Sequence, residues 1–327
     1  MKQKYVADIV SGEEFADFFL VKRAEIKTGS NSKQYFDVLL ADKTGEISGK
    51  KWDADSAEVE ALQRIAVGGI VKIKASVTEW NGANQLRITR IRPSTEGDAL
   101  DRIDFVRAAP ETPTEMFDFI YGKAQGLSDA DYRETAAKLL SDNKERLLYY
   151  PAAKANHHAI FGGLLYHVKR MLMMAERCCE VYTFLNRDLL LCGVIVHDIE
   201  KLNEMDADEN GTVTEYTLEG QLLGHLIMGV RTIDRLADEI GLPNEKAVML
   251  EHMMISHHYE PDFGSPKRPL FPEAEALHYM DMIDAKLYDF EEALSGVRPG
   301  HFSDWIRTLD GRKLYRAQNA EDQSEQP

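Results

Sequence analysis

The chain has 327 residues, 44% of them hydrophobic, and its 55 Asp and Glu outweigh 39 Lys and Arg to give a net charge of −16. An acidic total argues against a generic nucleic-acid-binding surface, and no apolar run approaches the roughly 20 residues that span a bilayer, so no membrane partner is expected. The adjacent Cys178 and Cys179 and the separate Cys192 fit neither a disulfide framework nor zinc-finger spacing, and the N-terminus lacks a signal peptide's apolar core, so reduced thiols and a cytoplasmic protein are expected.

The length predicts about two domains, and residues 1–93 read as a small β-barrel. They hold 15 Lys and Arg against 13 Asp and Glu, a net of +2 that leaves −18 on the remainder. Residues 35–40 and 46–52 are predicted strands around the turn Asp42-Lys43-Thr44-Gly45. Residues 54–66 have a helical pattern, with Ala57, Val59, Leu62 and Ile65 apolar. Gly68-Gly69 opens an alternating strand over residues 71–77, and after Trp80 the turn Asn81-Gly82 sends the chain back through 85–91.

Strands, one intervening helix and a closing hairpin predict a five-stranded OB-fold barrel, a fold that stacks single-stranded bases on aromatics over a cationic groove. The candidates are Tyr35, Trp52 and Trp80 for stacking, and Lys33, Lys50, Lys51, Lys72, Lys74 and Arg87 for phosphates. A competing reading puts Phe36 and one or both Trp residues in the barrel core. Alternation places Lys72 and Lys74 on one face of their strand and Ile73, Ala75 and Val77 on the other.

Residues 94–113 contain Pro and Gly without sustained periodicity and read as a linker. From 114 to 310 the patterns are helical and predict an all-α domain; 311–327 is polar and predicted to be disordered. Around His167 the residues Leu164, Leu165, Val168, Met171 and Leu172 recur at three- and four-residue steps, so His167 faces an interior. Thr217 is a candidate cap for a helix that Gly241 and Pro243 stop, with His225 on its apolar side. The run Asp206-Ala207-Asp208-Glu209 reads as solvated surface.

The pair His197-Asp198 follows an apolar run from Leu189 to Val196. With His167, His225, His257, His258 and Asp281, it gives seven potential metal ligands within about a hundred residues. One nitrogen and one oxygen from adjacent positions suit a divalent ion at which water is activated. This order, with Gly162-Gly163-Leu164-Leu165-Tyr166-His167, His197-Asp198-Ile199-Glu200-Lys201 and Met280-Asp281-Met282-Ile283-Asp284-Ala285, resembles the HD superfamily of phosphohydrolases. The resemblance implies that His167, His197, Asp198 and Asp281 bind one ion, with His225 and one or both of His257 and His258 completing a second site. Glu200 stands where that superfamily usually has Gly.

The barrel with Asp42-Lys43-Thr44-Gly45-Glu46-Ile47 and Trp52, followed by Ser256-His257-His258 and Phe263-Gly264-Ser265-Pro266, is similar to the YhaM family of 3′-to-5′ exoribonucleases over residues 8–295. Tyr259 replaces the Gly that family tends to have. The resemblance implies metal-dependent release of nucleoside monophosphates from the 3′ end of single-stranded RNA, with some action on single-stranded DNA. Asp198 and Lys201 are the expected catalytic residues, and two divalent ions are expected. Mn2+ is favoured, though His and Asp donors also accept Co2+, Fe2+ or Zn2+. His157 and His158 are candidates for a phosphate or the leaving oxygen, or simply a helix-entry pair. His252 and His278 read as supports for ligand-bearing helices, and a homo-oligomer is left open. Two alternatives remain: a phosphohydrolase of small nucleotides or cyclic dinucleotides with a regulatory barrel, and a non-catalytic single-strand binder.

Overall fold

The computed structural model describes residues 2–29, 33–52, 62, 65–154 and 158–318. The chain divides into two units, 1–108 and 109–327. In the first, the strands β1 (Glu14–Thr28), β2 (Gln34–Asp42), β3 (Gly45–Lys51), β4 (Ile70–Trp80) and β5 (Ala83–Pro93) close a barrel in the order β1-β2-β3-β5-β4. Neighbours are antiparallel except β3 with β5, whose parallel pairing closes the ring. Inward residues alternate with outward ones, and Val38, Leu40, Val71, Ile73, Leu86 and Ile88 fill the core.

The long first strand had not been located from sequence. Its residues Asp17 to Val21 are buried consecutively rather than alternately. Its first half pairs with β4 and its second with β2, and the register shift between Val21 and Arg23 bends the strand from one partner to the other. The helix expected over 54–66 falls outside the described residues, apart from Leu62, Ile65 and Ala66, of which Leu62 and Ile65 are buried. Residues 94–113 are more ordered than their composition suggested. Two 3-10 turns, Glu96–Asp98 and Arg102–Asp104, are fixed by an Arg92–Asp98 ion pair of 2.8 Å and by buried Phe105.

The second unit is helical apart from short β pairings: α1 (Pro113–Gln125), α2 (Ala130–Asp142), α3 (Lys144–Leu147), α4 (Gly163–Val181), α5 (Arg187–Val196), α6 (Lys201–Glu204), α7 (Leu218–Ile240), α8 (Asn244–Ser256) and α9 (Pro272–Leu294). The acidic run forms a hairpin of β6 (Met205–Ala207) and β7 (Val213–Tyr216), with Asp208 capping its turn through the Asn210 and Thr212 amides. α5 is buried along its apolar length and packs against α4, α2 and α9. Capping follows the sequence: the Thr217 hydroxyl accepts from the Gly220 amide at 2.9 Å, and Gly241 ends α7 in a left-handed conformation. The disordered tail expected from 311 is contradicted for 311–318. Phe302 pairs with Tyr315, Ile306 pairs with Arg312, and Leu314 is buried.

α4 starts where it does because Gly163 lets the preceding loop press onto it; a Cβ there would lie 2.0 Å from the His158 carbonyl oxygen. Gly163→Ala is therefore expected to destabilise the protein by about 1–3 kcal/mol through backbone displacement. An unchanged urea midpoint would contradict that close packing.

Candidate metal centre

Six of the seven predicted ligands come from the ends or inner faces of helices. His167 lies on α4, His197 and Asp198 cap the C-terminus of α5, His225 follows a break in α7, His257 caps α8, and Asp281 lies on α9. His258, the seventh, is half-buried beside them, its ring 4.4 Å from that of His257. The site opens into a cleft of about 450 Å³ lined by Lys201, His225, His257, His258, His278 and Asp281, among others.

Asp198 is 2% exposed, and its two oxygens face different partners. Oδ2 is 3.3 Å from His197 Nε2, 3.8 Å from His167 Nε2 and 2.7 Å from Lys201 Nζ. Oδ1 is 3.5 Å from His225 Nε2 and 3.8 Å from His257 Nε2. Asp281 Oδ1 joins the first set at 3.4 Å from His167 Nε2. Donor atoms lie within 4.8 Å of one another in His167-His197-Asp198, in His197-His257-Asp281 and in His225-His257-His258.

The far side of four imidazoles is committed to a partner. His167 Nδ1 donates to Asp284 at 2.8 Å, His197 Nδ1 to the Val194 carbonyl at 2.9 Å, His225 Nδ1 to Glu204 at 3.0 Å and His257 Nδ1 to the Met254 carbonyl at 2.8 Å. Each Nε2 is thereby turned inward, toward Asp198 and the other donors, with His167 Nε2 and His197 Nε2 3.4 Å apart. Asp198 Oδ1, His225 Nε2 and His257 Nε2 are buried with no hydrogen-bond partner. Stranding buried polar atoms costs about 1–3 kcal/mol each, so three together cost about 3–9 kcal/mol. A cation accepting all three removes that cost, so these residues fit divalent metal.

Burial opposes the charge on His197, but Asp198 and Asp281 raise its pKa, so without a metal its ring favours the charged form. Burial pushes the His257 pKa well below its ordinary value, with His258 adding to the shift, so its ring is a neutral ligand at pH 7. Burial opposes ionisation of Asp198, yet Lys201 and His197 hold its carboxyl well below the usual carboxylate range. Burial likewise opposes the Lys201 charge, but Asp198 and Asp281 more than offset it and keep the ammonium protonated.

Two supporting carboxylates were not singled out from sequence. Asp284 sits one turn after Asp281, 1% exposed, and accepts from His158 Nε2 at 2.7 Å, His167 Nδ1 at 2.8 Å and Arg170 Nε at 2.7 Å. Its three-residue spacing from Asp281 was the available signal. Glu204 accepts from both the amide and Nδ1 of His225, at the point where Gly224 (φ 69, ψ 161) interrupts α7. Glu200 is buried and accepts from Thr232 Oγ1 at 2.7 Å and Asn203 Nδ2 at 2.8 Å, tying the His-Asp turn to α7 while Lys201 keeps its contact with Asp198. Tyr259 adopts the left-handed conformation (φ 66) natural to the Gly it replaces, its ring 4.8 Å from that of His278.

His157 lies outside the described residues. His158 is not free to contact a substrate: it is fully buried, pushed down to about 4 by burial, and bonded to Asp284. His278 donates to the His257 carbonyl at 2.7 Å, and His252 accepts from the Leu270 amide at 3.0 Å, so both support the site's loops. On the barrel, Tyr35 and Trp52 stack at 4.4 Å with Lys50 about equally near both rings, and Trp80 is 64% exposed. Phe36 is core, as the competing reading had it. Lys51 must be withdrawn as a surface contact: β3 alternation puts it on the buried side with Ile47 and Gly49.

A protein 39% identical over 305 residues, 93% of either chain, is the 3′-5′ exoribonuclease YhaM of Halalkalibacterium halodurans. The chain belongs to the YhaM family. The HD domain matches residues 164–286, the region that carries every candidate ligand above, and implies divalent-metal binding. Among solved structures, the second OB-fold domain of replication protein A from Methanococcus maripaludis is 17% identical and matches 31% of this chain and 100% of its own, with a TM-score of 0.23. A replication protein A heterotrimer bound to ssDNA is 13% identical over 28% of this chain and 66% of that one, with a TM-score of 0.21. The barrel assignment rests on the closed strand order rather than on these likenesses. No helix among the described residues is long and apolar enough to cross a membrane, and all three cysteines are free.

Asp284→Asn tests the orienting carboxylate. The amide cannot accept from His158, His167 and Arg170 together, so metal affinity is expected to fall about 10–100-fold with the helical circular dichroism unchanged. Wild-type affinity in competition with a chelating dye would show that Asp284 does not set the His167 ring.

Proposed function

We propose that this member of the YhaM family is a metal-dependent 3′-to-5′ exoribonuclease that converts single-stranded RNA, and single-stranded DNA more weakly, to nucleoside monophosphates. The observation that carries this reading is the sharing of Asp198 between two inward-facing donor sets in a chain of this family. His167, His197, Asp198 and Asp281 would hold one ion, and Asp198, His225, His257 and His258 a second, Mn2+ being the favoured metal. Bound divalent ions make a water nucleophilic near neutral pH and offset charge on phosphoryl oxygens.

The residues supply the rest. The donors held by Nδ1 bonds keep their positions without reorganisation when charge develops. Lys201, 2.7 Å from Asp198 Oδ2 and lining the cleft, would offer a positive charge to the scissile phosphate. A water oxygen bonds to phosphorus, the bond to the upstream 3′ oxygen breaks, and that oxygen leaves protonated as the new 3′ end. Tyr35, Trp52 and Lys50 on the barrel offer bases a stacking surface and a cation. Free cysteines support a reducing compartment, the cytoplasm, and exposed apolar residues on α9 such as Ile283 and Leu287 are compatible with a homo-oligomer.

Asp198→Ala removes the shared ligand and should lower hydrolysis of 5′-labelled single-stranded RNA by more than about a hundredfold, the upper end for orienting partners alone. The wild type should give a descending ladder that stops at stable hairpins. Near-normal activity in folded mutant protein, or early internal cuts and digestion of circular RNA, would overturn the assignment.

A further inference from the structure

The outer face of β4 carries a second feature that the stacking pair does not explain. Lys72, Lys74, Ser76, Thr78 and Trp80 alternate outward along it, opposite the core residues Val71, Ile73, Ala75 and Val77. In the ladder with β5, Lys72 stands directly across from Arg92, Lys74 from Arg90, and Ser76 from Arg87. Like charges directly opposed across two strands destabilise a sheet, and here two such rungs are adjacent. Asp98 neutralises only Arg92. Among the described residues no ion pair engages Lys72, Lys74, Arg87 or Arg90. On the β1 side Ala16 and Phe18 complete the two Lys rungs without adding charge, and Glu14 stands across from Ser76 at the end of the third; the ammonium of Lys72 lies over the Phe18 ring at 4.8 Å. A groove runs between Ala16, Lys72, Lys74, Arg90 and Arg92.

We propose that this β1–β4–β5 face is a second track for single-stranded RNA, gripping its phosphodiester backbone along the cation rungs and stacking a base on Trp80. The proposal rests on the exoribonuclease reading and extends it to a face of the barrel other than that of Tyr35 and Trp52. In the closed order, β4 is bonded to β1 and β5, whereas the stacking pair lies on β2 and the end of β3. Successive rungs are about 6.6 Å apart, comparable with consecutive phosphates of an extended strand, and the stretch from Lys72 to Trp80 is about 26 Å long. Unpaired cations with an exposed aromatic on one strand face suit a nucleic acid strand better than an acidic protein surface, which offers nothing for Trp80 to stack on.

The test uses the full-length, metal-loaded enzyme with the double variant Lys74→Gln/Arg90→Gln and, separately, Trp80→Ala. Steady-state hydrolysis is measured on 5′-labelled oligo(U) longer than about 16 nucleotides and on one of about 4, the two ends of the range one OB-fold occupies. The double variant should raise KM on the long substrate and leave kcat and the short substrate unchanged. It should reduce the salt slope of log kcat/KM by about 1.4, or 0.7 per lost phosphate contact. Its melting temperature should be unchanged or higher, because opposed like charges have been removed, so lost binding cannot be ascribed to unfolding. Trp80→Ala should raise KM on the long substrate alone. An unchanged salt slope and KM in both variants would overturn the proposal, as would RNA kinetics of wild-type form with an altered mass in solution, the result expected if the face meets an acidic protein surface. Failure of the wild type to degrade either substrate would instead remove the exoribonuclease reading beneath it.

Discussion

The second unit is organised around a charge that has no adequate partner within the protein. Asp198 is buried at the end of α5, ionised, and in contact with a single ammonium, that of Lys201. Its other neighbours are the Nε2 atoms of imidazoles whose Nδ1 atoms are bonded on the opposite side of the ring. Several lone pairs and a carboxylate converging in a buried space repel one another, and the penalty of about 3–9 kcal/mol is comparable with the whole stability of a domain. Such an arrangement persists in a folded protein when cations complete it.

The surrounding helices make sense as the means of holding that arrangement still. α5 is apolar along its length and anchors the His197-Asp198 turn in the core, while α4 delivers His167 and α9 delivers Asp281 and Asp284. Asp284 joins three donors from two segments of chain, so the ring of His167 is fixed by a carboxylate that never faces the cleft. Glu204 does the same for His225 across the break at Gly224. Glu200 in turn ties the doublet to α7, a bond that a Gly at that position could not make. Ligand positions are thus set by hydrogen bonds whose other ends lie in buried structure, the condition for a preorganised site.

How much of this was legible in the sequence depended on whether chemistry or packing carried the signal. The convergence of the candidate donors was, because His and Asp within apolar helical patterns are chemically conspicuous, and the Thr217 cap and the Asn81-Gly82 hairpin were, because turn and cap chemistry is local. Asp284 and Glu204 were not, because a carboxylate oriented toward a histidine's far nitrogen looks in sequence like any solvated acid. β1 was missed because its buried run, broken by a bulge, does not alternate. Lys51 was assigned to the surface by residue type, when its register with Ile47 and Gly49 turned it inward. His158 reads in sequence either as a phosphate contact or as one of a helix-entry pair, and burial gives it instead to Asp284.

The barrel and the helical unit use opposite electrostatic designs. One exposes cations that repel one another until an anion arrives, and the other buries donors that repel one another until a cation does. Counting metal ions tests the second design. Elemental analysis of the purified, Mn2+-equilibrated protein should give two ions per chain, one in His257→Ala and neither retained tightly in Asp198→Ala. A single ion in the wild type, or two in folded Asp198→Ala, would contradict a centre built on one shared carboxylate.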